Sequence, residues 1–249
     1  MSFFSTRSIF SSVSNTNFSH NEQRSTSMHH KLAIQNDLIE NPSPRCACTV
    51  ILDTSYSMRG DRIRQLNDGL QEFLQEVHDD EMTACTLEIS VITAGETVRE
   101  ELPFTSALNI DSCQHFSANG STPLGGAMDL ALKNLERRKA EYKDAGVPYY
   151  QPWVVIISDG EPNDLGWEQA AAKAKKLSSD GKLVSLAVGV EGANMSDLGQ
   201  FSHRPPIKLD GLKFSEFFLW LSASMARVSQ SASTSASVEL PAMDGWASI

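Results

Sequence analysis

Short, continuous apolar runs alternate along this chain with longer stretches in which apolar residues recur at helical spacing. The runs have the length of strands buried on both faces, and the longer stretches that of amphipathic helices. Predicted strands lie at 46–52, 84–93, 153–157, 182–190 and 207–209, and predicted helices begin near Asp61, Leu124, Gly166 and Phe214. Gly95 predicts a hairpin turn into an antiparallel edge strand at 97–102. This alternation predicts an α/β fold, doubly wound, with a mostly parallel sheet and helices on both faces.

Oxygen-bearing side chains stand where predicted strands end. The first strand ends at Asp53, and Ser55 and Ser57 follow at spacings of two; a later strand ends just before Asp159. Thr122 stands in a glycine-rich turn directly before a helix. Because ligands of such sheets bind beyond the carboxyl ends of the strands, the three loops are predicted to converge on one crevice. Carboxylate and hydroxyl oxygens suit a hard divalent cation such as Mg²⁺.

Each of these motifs also has an ordinary structural explanation when it is taken alone. An Asp-x-Ser-x-Ser stretch is common in a serine-rich chain, and strand-to-helix turns often use Asp and Ser for capping. The Thr122 hydroxyl is placed either to cap the following helix or to bind a ligand. Only the convergence of three loops favours a metal site over three unrelated turns.

Composition excludes several classes of function. The net charge of −10 and the pI near 5.0 argue against a nucleic-acid-binding surface, which needs clustered Lys and Arg. Cys46 and Cys48 are spaced differently from a Cys-x-x-Cys redox or zinc pair, and a reducing compartment is favoured. No apolar run approaches the length of a membrane span. We therefore expect a cytoplasmic protein that contacts neither nucleic acid nor membrane.

Three segments are predicted from the change in composition along the chain. Residues 1–40 are predicted to be a disordered extension, 41–228 the folded domain, and 229–249 a flexible or loosely docked tail. The first 27 residues are rich in Ser and poor in acidic residues, which overlaps the composition of a transit peptide; Met28 is an alternative start. In the tail, Leu240 and Trp246 are candidate anchors on the domain.

The Asp-x-Ser-x-Ser motif, Thr122 in its glycine-rich turn and Asp159-Gly together resemble the von Willebrand factor A domain and its metal-ion-dependent adhesion site. The resemblance extends over about residues 45–228. It implies that Ser55, Ser57 and Thr122 bind a cation directly, and that Asp53 and Asp159 act directly or through water. Mg²⁺ is the expected ion, with Mn²⁺ and Ca²⁺ as alternatives. An open coordination position would accept an Asp or Glu carboxylate from a partner protein.

Shorter segments resemble a bacterial subfamily, the TerY-type proteins of tellurium-resistance and stress gene clusters. These segments are 53–58, 120–125, 149–153 and 158–164. The resemblance implies partners among other tellurium-resistance proteins or kinase- and phosphatase-like proteins. Tyr56 departs from the subfamily, which usually has Gly there, and is expected to project near the mouth of the site.

Three functions are compatible with these residues. The first is a non-catalytic, metal-dependent protein-interaction module. The second is a Mg²⁺-dependent metallohydrolase or phosphotransferase, because carboxylate and hydroxyl groups around Mg²⁺ can activate a nucleophile. The third is an adaptor for an ATP-driven chelatase-type machine. His78, His115 and His203 lie in separate segments without a matching motif, and the chain lacks a P-loop sequence, so we predict the non-enzymatic function.

Overall fold

The central strand β1, Cys46–Asp53, is buried along its whole length in this computed structural model. It pairs in parallel with β2 (Leu87–Ala94) on one side and with β4 (Trp153–Ser158) on the other. Beyond β4, the parallel order continues through β5 (Val184–Gly189) and β6 (Ile207–Leu209). Strands that are apolar on both faces need cover on both faces, which the helices supply.

The two edges of the sheet carry antiparallel strands. The predicted hairpin at Gly95 is confirmed, because β3 (Val98–Ser106) pairs antiparallel with β2. At the other edge the two-residue strand β7 (Ala247–Ser248) pairs antiparallel with β6. The sheet order is β3-β2-β1-β4-β5-β6-β7, so the predicted doubly wound, mostly parallel α/β fold is confirmed.

Helices pack on both faces of this sheet. They are α1 (Asp61–Asp79), α2 (Glu81–Thr86), α3 (Leu124–Asp144), α4 (Trp167–Ser179), α5 (Met195–Leu198) and α6 (Phe214–Ser229), with 3-10 turns at Tyr56–Met58, Ala107–Asn109 and Gly199–Phe201. Helix α1 packs against α6, and the two share one apolar core with Val50 and Leu52 of β1. Helix α3 packs against α4 and covers the opposite face of β1 and β2. The side-chain alternation of a strand explains this division, since neighbouring residues point to opposite faces.

The predicted start of the second strand is displaced. The apolar run predicted as a strand over 84–93 enters the sheet only at Leu87, because a short helix, α2, precedes it. The Asp80 side chain accepts a hydrogen bond from the Thr83 backbone N–H at 2.7 Å and so caps that helix. Local capping therefore converts the first three residues of the run into helix.

The switch in strand order places the candidate site. From β1 the chain moves to β2 on one side, and it later returns to β4 on the other side. A crevice opens at such a point beyond the carboxyl ends of the two strands. Asp53 ends β1 and Ser158 ends β4, so the loops that follow these residues border the same crevice.

The structure describes residues 38, 40, 41, 43–243, 245, 247 and 248, and every element above belongs to the unit Asn41–Ile249. The predictions for residues 1–37 and for Trp246 lie outside the described residues. Leu240 packs against the apolar core, and the Trp220 indole N–H donates to the Pro241 carbonyl at 2.9 Å. In the described part of the chain, no helix is both long and apolar enough to cross a membrane.

Candidate metal centre

Asp53 is fully buried at the end of β1, and both of its carboxylate oxygens are engaged. Oδ1 accepts a hydrogen bond from the Ser55 backbone N–H at 2.8 Å, and Oδ2 accepts one from the Ser158 hydroxyl at 2.5 Å. The first bond shapes the turn that carries the two serines, and the second joins the ends of β1 and β4. Asp53 therefore fixes the geometry of the loop as well as offering charge.

Burial raises the pKa of Asp53 to about 6. The hydrogen bonds from Ser158 and Ser55 act in the opposite direction, and the neighbouring Asp159 carboxylate raises the pKa further. An ionised carboxylate in this position lacks the solvation that water would supply, so a nearby cation favours its charged form. The surroundings of Asp53 thus favour binding of a positive charge.

A chain of hydroxyl groups connects Asp53's loop to Asp159. The Ser55 and Ser57 hydroxyl oxygens lie 3.0 Å apart, and the Ser57 hydroxyl donates to Asp159 Oδ1 at 2.8 Å. Ser55 is buried, whereas Ser57 is exposed to solvent. Ser55, Ser57 and Asp159 are therefore linked by their polar side chains, and the solvent-exposed Ser57 lies between the other two.

Thr122 reaches the same place from the third loop. A Cβ atom added at Gly160 would lie 2.9 Å from the Thr122 γ-methyl carbon and 3.0 Å from Asp53 Oδ2. Both groups therefore approach one point above the Gly160 backbone. Thr122 is only 6% exposed, and no hydrogen bond of its hydroxyl is found among the described residues. The structure thus brings all five predicted site residues into one cluster.

Capping of α3 is provided by another residue, which answers the question left open for Thr122. The Asp164 carboxylate accepts hydrogen bonds from the Gly125 and Gly126 backbone N–H groups at 3.1 and 2.7 Å. An anion at this end also complements the helix dipole. Asn163 adds a two-way link, since its Oδ1 accepts from the Thr122 N–H at 3.0 Å and its own N–H donates to the Thr122 carbonyl at 3.2 Å. The Thr122 hydroxyl is therefore not needed as a cap.

Tyr56 lies on the same loop as the two serines, and its side chain is 62% exposed, as the sequence predicts. The Arg59 guanidinium stacks over its ring, 4.1 Å from the centroid. Arg59 also donates to the Ala118 carbonyl and to Asn119 Oδ1, both at 3.0 Å. These contacts hold the aromatic ring at the rim of the crevice.

Arg62 is a residue of this cluster that the sequence reasoning missed. Its Nη1 lies 2.5 Å from Asp159 Oδ2 and also donates to the Ser57 carbonyl at 3.2 Å, while Nη2 donates to the Glu191 carbonyl at 3.1 Å. Arg62 is the second residue of α1. A cation in the first turn opposes the helix dipole, and that unfavourable position was the available signal.

The donor set fits a hard cation. It contains the carboxylates of Asp53 and Asp159 and three hydroxyl groups, all of them oxygen donors. Elsewhere in the described chain, as here, no group of three or more His, Cys, Asp or Glu side chains is placed to hold a metal ion. Any cation bound here must therefore rely on the hydroxyls, as Mg²⁺ can. That these five residues bind a metal stays a prediction.

Replacing Gly160 with alanine is expected to weaken metal binding about tenfold, the size of effect seen when the support of metal ligands is disturbed. The added methyl group would push against Thr122 and Asp53, so one of them must move. Isothermal titration with Mn²⁺ measures the change. Gly126→Ala is the matched control, because its methyl group would make only ordinary contacts, with the Val98 and Asp164 side chains. Equal affinity in wild type and Gly160→Ala would contradict the proposed meeting point.

Comparison with known structures agrees with this fold. Proximal thread matrix protein 1 (PTMP1) from the mussel byssus is 16% identical, with a TM-score of 0.53 over 75% of this chain and 49% of that one. The ArnB paralog VWA2 from Sulfolobus acidocaldarius is 14% identical, with a TM-score of 0.51 over 73% and 45%. The pilus adhesin SpaC from Lactobacillus rhamnosus GG is 11% identical, with a TM-score of 0.59 over 75% and 31%. This chain thus spans half or less of each of these proteins.

One structure of the mussel protein has a zinc-occupied MIDAS motif. At such identities the likeness shows the fold alone. No curated protein sequence matches this chain. The model of the von Willebrand factor type A domain, however, matches residues 49–215, which is more than half of the chain and includes all five candidate ligands. This chain therefore belongs to the von Willebrand factor type A family.

Proposed function

We propose that this domain binds a divalent cation, Mg²⁺ in the cell, and uses it to dock a carboxylate of a partner protein. The observation that carries the proposal is the meeting of three loops, because Thr122 and Asp53 approach one point above Gly160 and the Ser57 hydroxyl donates to Asp159 in the same cluster. A cation bound among these oxygen donors would favour the ionised form of the buried carboxylates. The zinc-occupied site of the mussel protein and the adhesin role of SpaC support the same kind of function.

The residues of the site have different roles in docking. Asp53 and Ser158 hold the ends of two strands together, and Asn163 holds the Thr122 backbone at the rim. The Ser57 hydroxyl is exposed, so the cluster is open to solvent on that side. A cation held by these residues would offer a coordination position to an oxygen ligand from outside. A single charged contact of this kind gives direction, and the surrounding surface, including Tyr56, gives specificity.

We propose that the site docks a partner without catalysis, because of where the histidine side chains lie. His78 Nδ1 lies 3.1 Å from the Ala107 carbonyl, and His203 Nδ1 lies 2.6 Å from the Ser178 hydroxyl. These two imidazoles are thus engaged away from the cluster, and His115 is exposed on the wall of a cavity that Thr54 and Asn119 also line. A general base must reach the proton that it removes. We therefore propose binding rather than hydrolysis or phosphoryl transfer.

The biological setting that we propose is a bacterial tellurium-resistance or stress-response system in the cytoplasm. Its support is the resemblance of four segments to TerY-type proteins, described above. The described cysteines, Cys46, Cys48, Cys85 and Cys113, are all free thiols, as is usual in a reducing compartment. Partners in this setting would be other tellurium-resistance proteins or kinase- and phosphatase-like proteins that offer an Asp or Glu side chain.

The test is metal-dependent capture of such a candidate partner by wild type, Thr122→Ala and Ser121→Ala. Ser121→Ala is the matched control, since it removes an exposed hydroxyl from the neighbouring position. We expect wild type and Ser121→Ala to retain the partner in Mg²⁺ and to release it in EDTA. Thr122→Ala is expected to lose at least about tenfold in affinity, as for loss of a metal-supporting group. Capture that EDTA does not release, or that Thr122→Ala retains, would contradict metal-dependent docking.

A further inference from the structure

The ion pair between Arg62 and Asp159 places a side-chain cation inside the candidate metal cluster. The Asp159 side chain is only 2% exposed, whereas that of Arg62 is 31% exposed. Arg62 thus reaches inward from the solvent-facing start of α1 to a carboxylate that is nearly buried. Its other hydrogen-bond partners in the described structure, the Ser57 and Glu191 carbonyls, are neutral acceptors. Among the described residues, Asp159 is the one anion that forms an ion pair with Arg62.

Asp159 is shared between this ion pair and the hydroxyl chain. One carboxylate oxygen accepts from Ser57 at 2.8 Å, and the other lies 2.5 Å from Arg62. A buried carboxylate without a cation nearby is strongly unfavourable, so the guanidinium stabilises Asp159 in the metal-free protein. A divalent ion held by Ser57 and Asp159 would stand next to that guanidinium. Two cations on one carboxylate repel each other, and the interior weakens such a repulsion less than water does.

We propose that Arg62 is a tethered cation that competes with the metal for Asp159. In the metal-free state Arg62 holds Asp159 and bridges α1 to the Glu191 carbonyl. Metal binding must displace the guanidinium from Asp159, and the Arg62 side chain, which is 31% exposed, has solvent to move into. Arg62 therefore lowers the affinity of the site for metal and sets the metal concentration at which docking begins. This inference rests on the proposed metal-dependent function.

Direct titration of the full chain with Mg²⁺ and Mn²⁺ alone tests the competition. The variants are Arg62→Gln, which removes the charge, and Arg62→Lys, which keeps it. Arg64→Gln is the matched control, because Arg64 lies on the same helix and pairs with the exposed Asp61 at 2.8 Å. Arg62→Gln is expected to bind metal about tenfold more tightly than wild type, within the usual range of coupling between two ligands. The metal affinities of Arg62→Lys and Arg64→Gln are expected to stay within about threefold of wild type, because neither substitution removes the positive charge next to Asp159.

The melting temperature of each metal-free variant shows that it is folded and gives a second readout. Loss of the ion pair should lower the melting temperature of metal-free Arg62→Gln and enlarge its rise on metal addition, compared with wild type. If the role of Arg62 is purely structural, Arg62→Gln should lower the melting temperatures of the metal-free and metal-bound protein equally and leave the metal affinity unchanged. That result would overturn the inference. Weaker metal binding by Arg62→Gln would overturn it as well.

The outcomes also separate this inference from the proposed function. If wild type binds metal and Arg62→Gln binds it no better, competition is wrong while the metal site stands. If wild type binds no metal but Arg62→Gln does, competition is supported and metal-dependent docking by the wild-type chain is wrong. If no variant binds metal, both the inference and the proposed function fail.

Discussion

Asp53→Ala is expected to abolish the rise in melting temperature that Mg²⁺ or Mn²⁺ produces in the wild-type domain. A ligand that binds only the folded state stabilises it by about 2.7 kcal/mol when its concentration is roughly 100-fold above the dissociation constant. For a domain of this size that corresponds to a rise of roughly 5–10 °C. Asp53 is fully buried, and its carboxylate organises both the Ser55 turn and the end of β4. Alanine removes the charge and both hydrogen-bond acceptors.

Thermal unfolding with and without metal measures this effect, and Asp68→Ala is the matched control. Asp68 is exposed on α1, so its loss changes the net charge by the same amount without touching the cluster. The Asp68 variant should keep the full metal-dependent rise. A rise of equal size in the Asp53 variant would show that the stabilising ion binds elsewhere. Comparison at equal ionic strength removes general screening by salt.

The central part of the site could be predicted from sequence because its signals are local. The apolar run that forms β1 is buried on both faces, and Asp53, Ser55 and Ser57 follow it within five residues. Thr122 was predicted because a glycine-rich turn precedes a helix. The order of strands and helices then determines that all three loops lie at one edge of the sheet. Residue type, spacing and topology were sufficient for these positions.

The supporting contacts could not be predicted in the same way, because they depend on distances between side chains far apart in sequence. Asp164 caps a helix through Gly125, which lies 39 residues earlier, and Arg62 reaches Asp159 across 97 residues. No spacing rule relates such pairs. A polar loop residue such as Asp164 has many available partners until the loops are placed. The predicted start of β2 was wrong for a different reason, because the cap at Asp80 favours a helix over a strand in the residues that follow it.

The largest expected loss of stability lies at the opposite end of the sheet from the metal cluster. Glu88, near the start of β2, is fully buried beneath α3. Arg138 of α3 donates to its two carboxylate oxygens at 2.6 and 2.7 Å, and the Tyr142 hydroxyl donates to it at 2.6 Å. Arg45 Nε lies 3.8 Å from the same carboxylate. This network joins β2 to the helix that Thr122 precedes.

Arg138→Ala is expected to lower the free energy of unfolding by about 3–5 kcal/mol, because it leaves the buried Glu88 carboxylate without its bidentate partner. The melting temperature should fall by on the order of 10 °C. Arg137→Ala, which removes a side chain that is 58% exposed from the preceding position, should change the free energy of unfolding by less than about 1 kcal/mol. Urea denaturation at neutral pH measures both free energies of unfolding. A loss below about 1 kcal/mol for Arg138→Ala, the size expected for an exposed ion pair, would mean that Arg45 and Tyr142 alone can support Glu88.

Metal affinity in Arg138→Ala provides the complementary measurement. Glu88 lies near the amino end of β2, whereas Asp53 and Ser158 lie at the carboxyl ends of their strands. The two clusters are therefore at opposite ends of the parallel strands. Mutations at distant sites without shared partners act independently. The folded fraction of Arg138→Ala should therefore bind Mn²⁺ within about twofold of wild type, because the independence of distant sites holds to a few tenths of a kcal/mol. A large loss of metal binding would show instead that α3 transmits disorder to the Thr122 loop, and that the network under α3 positions the site as well as stabilising the fold.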